Sequence, residues 1–85
     1  MKSYKEDILK NICYTELVYG RINKKLKSKF SKLEIEKKLL DIITVTEEQN
    51  FQKIGKNVYI TNSAEEIRIT INLNTFRVIT VDSVK

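Results

Sequence analysis

The stretch that decides the fold is "IRITINLNTFRVIT", Ile67–Thr80. Ile67, Ile69, Ile71 and Leu73 alternate with Arg68, Thr70 and Asn72. Alternation at period two is the mark of a strand with one buried face. A second run, "FRVITVD" (Phe76–Asp82), follows the polar pair Asn74-Thr75, so the two read as an antiparallel hairpin. Its register depends on the loop. A two-residue turn at Asn74-Thr75 pairs Leu73 with Phe76 and Ile71 with Val78. Arg68 and Arg77 then share a face with Thr70, Asn72, Ile79 and Val81. A three-residue loop pairs Asn72 with Phe76 and turns Arg77 toward Ile69 and Ile71. One residue of slip exchanges the faces, and an arginine belongs outside a core. The two-residue register is therefore the expectation.

Upstream, "FQKIGKNVYIT" (Phe51–Thr61) reads as another hairpin turning at Gly55-Lys56, with Val58 and Ile60 on one face and Tyr59 and Thr61 on the other. "NSAEE" is a polar turn between the hairpins. Before "TEEQN" the period changes from 2 to 3.6. Ser31 and Glu34 form a Ser-x-x-Glu capping box, with Phe30 placed to staple onto Ile35. The helix that follows, about 32–45, lines up Ile35, Leu39, Ile42 and Ile43. Further back, Thr15 can cap "ELVYGRINKKL", where Val18, Ile22 and Leu26 share a face. Ser3 can cap a short helix over 4–12 carrying Ile8 and Ile12, with Glu6 three residues on. Residues 4–26 are one bent helix or two. The order predicts a single α+β domain over 1–85. Two or three N-terminal helices in 1–45 pack on a three- or four-stranded antiparallel meander in 51–85.

Composition narrows the function. With 85 residues the core is small, about 60–65% of the unfolded surface being buried on folding. Hydrophobic residues make up 41% and charged residues 32%, an ordinary globular balance. No apolar run reaches membrane-spanning length and no secretory leader is visible, so a cytoplasmic protein with no membrane partner is expected. Cys13 is the single cysteine and there is no histidine. A disulfide, a tetrahedral zinc site and a Cys–His nucleophile are all beyond this inventory. Cys13 is expected as a small buried thiol. Two glycines leave no phosphate-binding loop, and no EF-hand spacing occurs. No metal and no cofactor are expected.

The formal charge is +5. It belongs to residues 1–45, which hold eleven Lys/Arg and six Asp/Glu, whereas 46–85 hold five of each. Arg21, Lys24, Lys25, Lys27, Lys29 and Lys32 run without an acidic residue among them. Such a stripe attracts a polyanion or an acidic protein face. It also suits the C-terminal end of a helix dipole.

Two resemblances rest on quoted residues. "YTELVYGRINKKL", "KIGKNVYIT" and "IRITINLNTFRVITVD" resemble a family of small bacterial domains described only as a domain of unknown function. The order helix–helix–meander ending in "RVITV" is similar to the barnase–EndoU–colicin–RelE group of ribonuclease and toxin domains. One branch of that group opens its first helix with Thr-x-His-x-x-x-Arg-apolar. Here "TELVYGRI" supplies Thr15, Arg21 and Ile22, but Leu17 stands where the histidine is expected. RelE-like members cleave RNA with Lys, Arg and Tyr, and Lys53, Lys56, Tyr59, Arg68 and Arg77 are the corresponding residue types here.

Two functions follow as expectations. The first is a non-catalytic binding protein whose Arg21–Lys32 stripe meets RNA or a nucleic-acid-handling protein, with Tyr59 or Tyr19 as a contact anchor. Its size and character are those of phage-type inhibitors of bacterial defence systems, anti-CRISPR proteins included. The alternative is a metal-independent RelE-like endoribonuclease of the toxin type. There Arg68 and Arg77 would hold the phosphate, and Lys53, Lys56 or Tyr59 would move protons. As to assembly, a monomer or an edge-strand dimer is expected, with Asp82 and Lys85 discouraging pairing along the last strand.

Overall fold

The computed structural model describes residues 4–84. Three helices precede a sheet: α1 (Tyr4–Asn11), α2 (Glu16–Leu26) and α3 (Lys32–Val45). A single 3₁₀ turn at Glu48–Asn50 leads into four strands, β1 (Phe51–Ile54), β2 (Asn57–Asn62), β3 (Ile67–Asn72) and β4 (Val78–Ser83). The strands lie in sequence order as an antiparallel meander. This is the α+β arrangement read from the sequence.

Residues 4–26 form two helices. The break at Ile12–Thr15 has a structural use. Cys13 donates its N–H to the Phe76 carbonyl (2.9 Å) and accepts from the Val78 N–H (3.0 Å), so the linker pins the start of β4. The Cys13 thiol is half-buried rather than buried and points to the Thr75 and Phe76 carbonyls at 3.4 and 3.5 Å. Thr15 stands at the N-cap of α2, but its side chain makes no capping bond. The Ser3 cap lies outside the described residues. On α3 the capping box forms in full. Ser31 Oγ accepts from the Glu34 N–H (3.2 Å), and Glu34 Oε1 accepts from the Ser31 N–H (2.9 Å). The Ser31 N–H first, and the Ser31 side chain second, favour the charged carboxylate and hold Glu34 below its ordinary pKa.

The core is one aliphatic cluster. Ile8, Val18, Ile22, Ile35, Leu39, Ile42 and Ile43 from the helices meet Val58, Ile60, Ile67, Ile69, Ile71, Val78 and Val81 from the sheet. One polar joint crosses it. Buried Asn62 donates to Thr46 Oγ1 (2.9 Å) and accepts from the Glu65 N–H (2.9 Å). Lys5 Nζ reaches the Thr46 carbonyl at 3.0 Å. These bonds tie α1, the end of α3 and the β2–β3 turn together.

Gly55, at a left-handed φ of 62°, supplies the positive φ that a two-residue hairpin turn needs at its first position. The second hairpin agrees with the expected register at its centre, where Ile71 pairs with Val78. Three details differ. Leu73 and Phe76 are not a strand pair: they lie in a four-residue loop closed by Phe76 N–H to Asn72 O (2.7 Å) and Asn72 N–H to Arg77 O (3.0 Å). Phe76 takes a left-handed φ of 59°, so β4 begins at Val78 rather than Phe76. Beyond Val78 the register shifts, and Thr70 pairs with Thr80. Ile79 is the extra residue of a β-bulge. A bulge moves every later side chain across the sheet, so Val81 is buried in the core and not on the face of Arg68.

Candidate polyanion-binding face

Helix α2 lies along β4, and this juxtaposition organises the charged surface. Two anchors are explicit. Arg21 Nη1 donates to the Ile79 carbonyl at 3.4 Å, the carbonyl of the bulge residue. Lys25 Nζ sits 3.1 Å from Asp82 Oδ1, with both side chains well exposed. An exposed pair of this kind contributes less than about 1 kcal/mol, so its main effect is local: it offsets the Asp82 charge. Between helix and strand lies an open depression of about 890 Å³, lined by Gly20, Arg21, Lys24, Lys25, Thr80 and Asp82. A smaller hollow of about 240 Å³ adjoins it and brings Thr15, Leu17, Arg21, Arg77 and Ile79 together.

The six cations of the stripe divide into groups. Arg21, Lys24 and Lys25 line the α2–β4 depression. Lys27 and Lys29 are exposed on the α2–α3 turn. Lys24, Lys27 and Lys29 make no ion pair among the described residues. Lys32 is turned elsewhere: its Nζ is 2.7 Å from Glu16 Oε2 and 5.4 Å from the centre of the Tyr19 ring. The sequence offered no way to see this, because Glu16 is sixteen residues away.

The turn that carries Lys27 and Lys29 is built by Asn23. Its Oδ1 accepts from Ser28 Oγ (2.9 Å) and the Phe30 N–H (3.0 Å), and its Nδ2 donates to the Phe30 carbonyl (2.9 Å). Lys27 ends α2 at a left-handed φ of 53°. Asn23 is a positioning residue that sequence reading passed over. The available signal was an Asn five residues before Ser28 in a segment rich in turn-forming side chains.

Tyr19 is not a free contact anchor. It stacks on Tyr14 at 5.5 Å between centroids and donates to Glu36 Oε2 at 2.7 Å. Burial, and then the Glu36 carboxylate, push its hydroxyl up to about 12. Tyr14 is raised as well, by burial first and by Glu36 second. Tyr59 is half-buried on the outer face of the sheet, across from Gln52 and Thr70.

The five residues of the ribonuclease expectation are spread out. Tyr59 and Arg68 lie on the outer face, where Arg68 Nε donates to Thr61 Oγ1 at 3.3 Å. Lys53 pairs with Val58, a core residue, and so occupies the helix-side face of β1. Lys56 is in the β1–β2 turn. Arg68 stands opposite Asp82, whereas Arg77 faces Asn72 at the other end of the ladder. Four residues of β3 separate those levels, roughly 13 Å at about 3.3 Å per residue. Arg77 is instead a neighbour of Arg21 and Leu17. Thr15, Leu17, Val18 and Arg21 of "TELVYGRI" thus share one hollow with Arg77, and Arg68 lies outside it.

Among the described residues no group of three or more His, Cys, Asp or Glu side chains is placed to hold a metal ion, and no helix is long and apolar enough to cross a membrane. A family model described as a protein of unknown function, DUF3781, matches residues 6–82. No curated protein and no solved structure matches.

Proposed function

The chain belongs to the DUF3781 family, and from its own residues we propose that it is a small non-catalytic binding protein that holds RNA on the basic face of α2 and the α2–α3 turn. One observation carries the reading. Arg21, Lys24, Lys27 and Lys29 follow one another along α2 and the α2–α3 turn with no acidic residue between Glu16 and Glu34 in the chain, and none of the four makes an ion pair among the described residues. Uncompensated cations along a helix draw phosphate by long-range attraction and by release of condensed counterions. The second partner class is a nucleic-acid-handling protein, bound through an acidic patch. A basic domain of this size also suits a phage-type inhibitor of a bacterial defence system, anti-CRISPR proteins included, acting by competition for RNA.

The alternative is a metal-independent, RelE-like endoribonuclease. Its support is that Tyr59 and Arg68 share the outer sheet face. One experiment separates the readings. A labelled 24-nucleotide RNA is incubated with the protein in EDTA at low salt, and both binding and chain length are measured. Binding without cleavage is expected. The triple variant Lys24→Glu, Lys25→Glu, Lys27→Glu should bind at least tenfold more weakly and with a shallower salt dependence. Affinity unchanged by the triple reversal removes the basic-face reading. Cleavage that is lost in Arg68→Ala plus Arg77→Ala transfers the function to the alternative.

A further inference from the structure

The basic face is concave where it meets the sheet. Arg21 lines both the larger depression and the smaller hollow, so the two form one groove along the α2–β4 junction. Resting on the RNA-binding reading above, we infer that this groove is the path of a single RNA strand, in which Arg77, Arg21 and Lys24 each meet a backbone phosphate.

The choice of path follows from where charge is left uncompensated. Lys25 is offset by Asp82, Lys32 by Glu16, and Lys38 by Glu65 at 3.9 Å. The neighbouring hollow beside the α2–α3 turn carries Glu65 and Glu66 facing its lysines, which makes it poor for a polyanion. Arg77, Arg21 and Lys24 have no carboxylate partner among the described residues, and the first two share a concave hollow. A cleft with low-dielectric walls concentrates the field of such charges. Positions three apart on a helix hold their Cβ atoms about 5–6 Å apart, so Arg21 and Lys24 can meet successive phosphates.

The rest of the lining suits a strand whose bases are splayed out. Leu17 is 83% exposed and Ile79 37% exposed, and both border the hollow of Arg21 and Arg77. They offer apolar surface to a sugar or base face. Thr15 supplies a hydroxyl on the same wall. Gly20 carries no side chain, and a Cβ there would meet nothing within 4 Å, so the helix wall stays open at that point. A duplex cannot place both backbones in a cleft between a helix and the adjacent strand. It would ride on Lys24, Lys27 and Lys29 at the rim, without reaching Arg77.

The test compares a fluorescein-labelled twelve-nucleotide uridine RNA with a twelve-base-pair RNA duplex by anisotropy across a salt series. The single strand should bind more tightly, and three phosphate contacts should give a log–log salt slope of about −2. Arg77→Ala should weaken single-strand binding about fivefold and flatten the slope by roughly 0.7, while leaving the duplex unchanged. Arg77→Lys should restore most of the slope. Amide NMR shifts induced by the uridine RNA in the unmodified protein should centre on Thr15, Leu17, Arg21 and Ile79, which needs no variant to fold. Shifts confined to Lys27–Lys32, equal affinity for the duplex, or an Arg77→Ala slope identical to wild type would overturn the groove while leaving the RNA reading on the turn lysines. Absence of binding to both RNAs overturns the groove and the RNA reading together, and points to an acidic protein face as the partner.

Discussion

The two edges of the sheet are treated in opposite ways. The β4 edge is wrapped: α2 lies along it, Cys13 bridges its start, and the Ile79 bulge hands a carbonyl to Arg21. The β1 edge is bare over its four residues, with Gln52, Lys53 and Ile54 exposed. Open edges invite pairing with another chain, and proteins blunt them by covering, by shortness or by charge. Here one edge is covered and the other is kept short, with Lys53 turned to the helix-side face. The difference accounts for where the proposed binding face lies. The helix that shields this edge also carries the cations, so protecting the sheet and building the groove are one act of packing. β4 is an edge strand of the sheet as expected, but α2 lies along it and Asp82 is the partner of Lys25; Lys85, the other residue expected to guard this strand, lies outside the described residues.

The largest test of the contrast removes an anchor from each side. Ile22 is 1% exposed beneath α2, whereas Ile54 is 57% exposed on β1. Ile22→Ala should cost about 2–5 kcal/mol of unfolding free energy, through lost burial and a cavity. Ile54→Ala should stay within about 0.5 kcal/mol, as surface substitutions do. Equal losses in denaturant titrations would mean that the bare edge is held as firmly as the covered one.

How much of this was legible in the sequence depends on the range of the interaction. The α3 capping box, the buried face of α3 and the Gly55 turn are local, and Ser31, Glu34, Ile35, Leu39 and Gly55 announce them. The Ile67–Leu73 alternation placed β3 and the central Ile71–Val78 pair. The bulge was less visible, although "VITV" (Val78–Val81) carried a trace of it: Val78 and Val81 are three apart, a spacing that an unbroken strand cannot bury on one face. The packing of α2 on β4 was not legible at all, since nothing in Arg21 or Lys25 names Ile79 or Asp82, nearly sixty residues on. The candidate site divides in the same way. Its cations were found as a run along the chain, but the removal of Lys32 by Glu16 and the recruitment of Arg77 are tertiary facts.

Asn23 gives an intermediate effect confined to the wrapped side. Asn23→Ala removes three hydrogen bonds that shape the α2–α3 turn. It leaves the half-buried Phe30 N–H and carbonyl short of these partners. A loss of about 1–3 kcal/mol is expected. Because Lys27 and Lys29 ride on that turn, RNA affinity measured well below the melting temperature should fall as well. A stability loss with unchanged affinity would separate the turn from the binding face and confine binding to the groove.

The smallest change in stability, and the most specific, is expected on the bare edge. Lys53 pairs with Val58, so its chain lies on the side of the sheet that the core occupies, next to Phe51 on the same face. An inward-facing charge on a short edge strand must be desolvated if a second strand docks beside it, which penalises pairing. Lys53→Val removes that penalty and continues the apolar row from Phe51. The monomer's unfolding free energy should move by no more than about 0.5 kcal/mol, the position being exposed. Sedimentation should nevertheless show concentration-dependent dimers in the variant that are weaker or absent in the wild type. Lys53→Pro, which removes the outward-facing N–H of the edge and fixes the backbone against a regular ladder, should form none. If Lys53→Val associates no more than wild type, the edge is protected by its four-residue length alone, and the contrast between the two edges is one of covering rather than of charge.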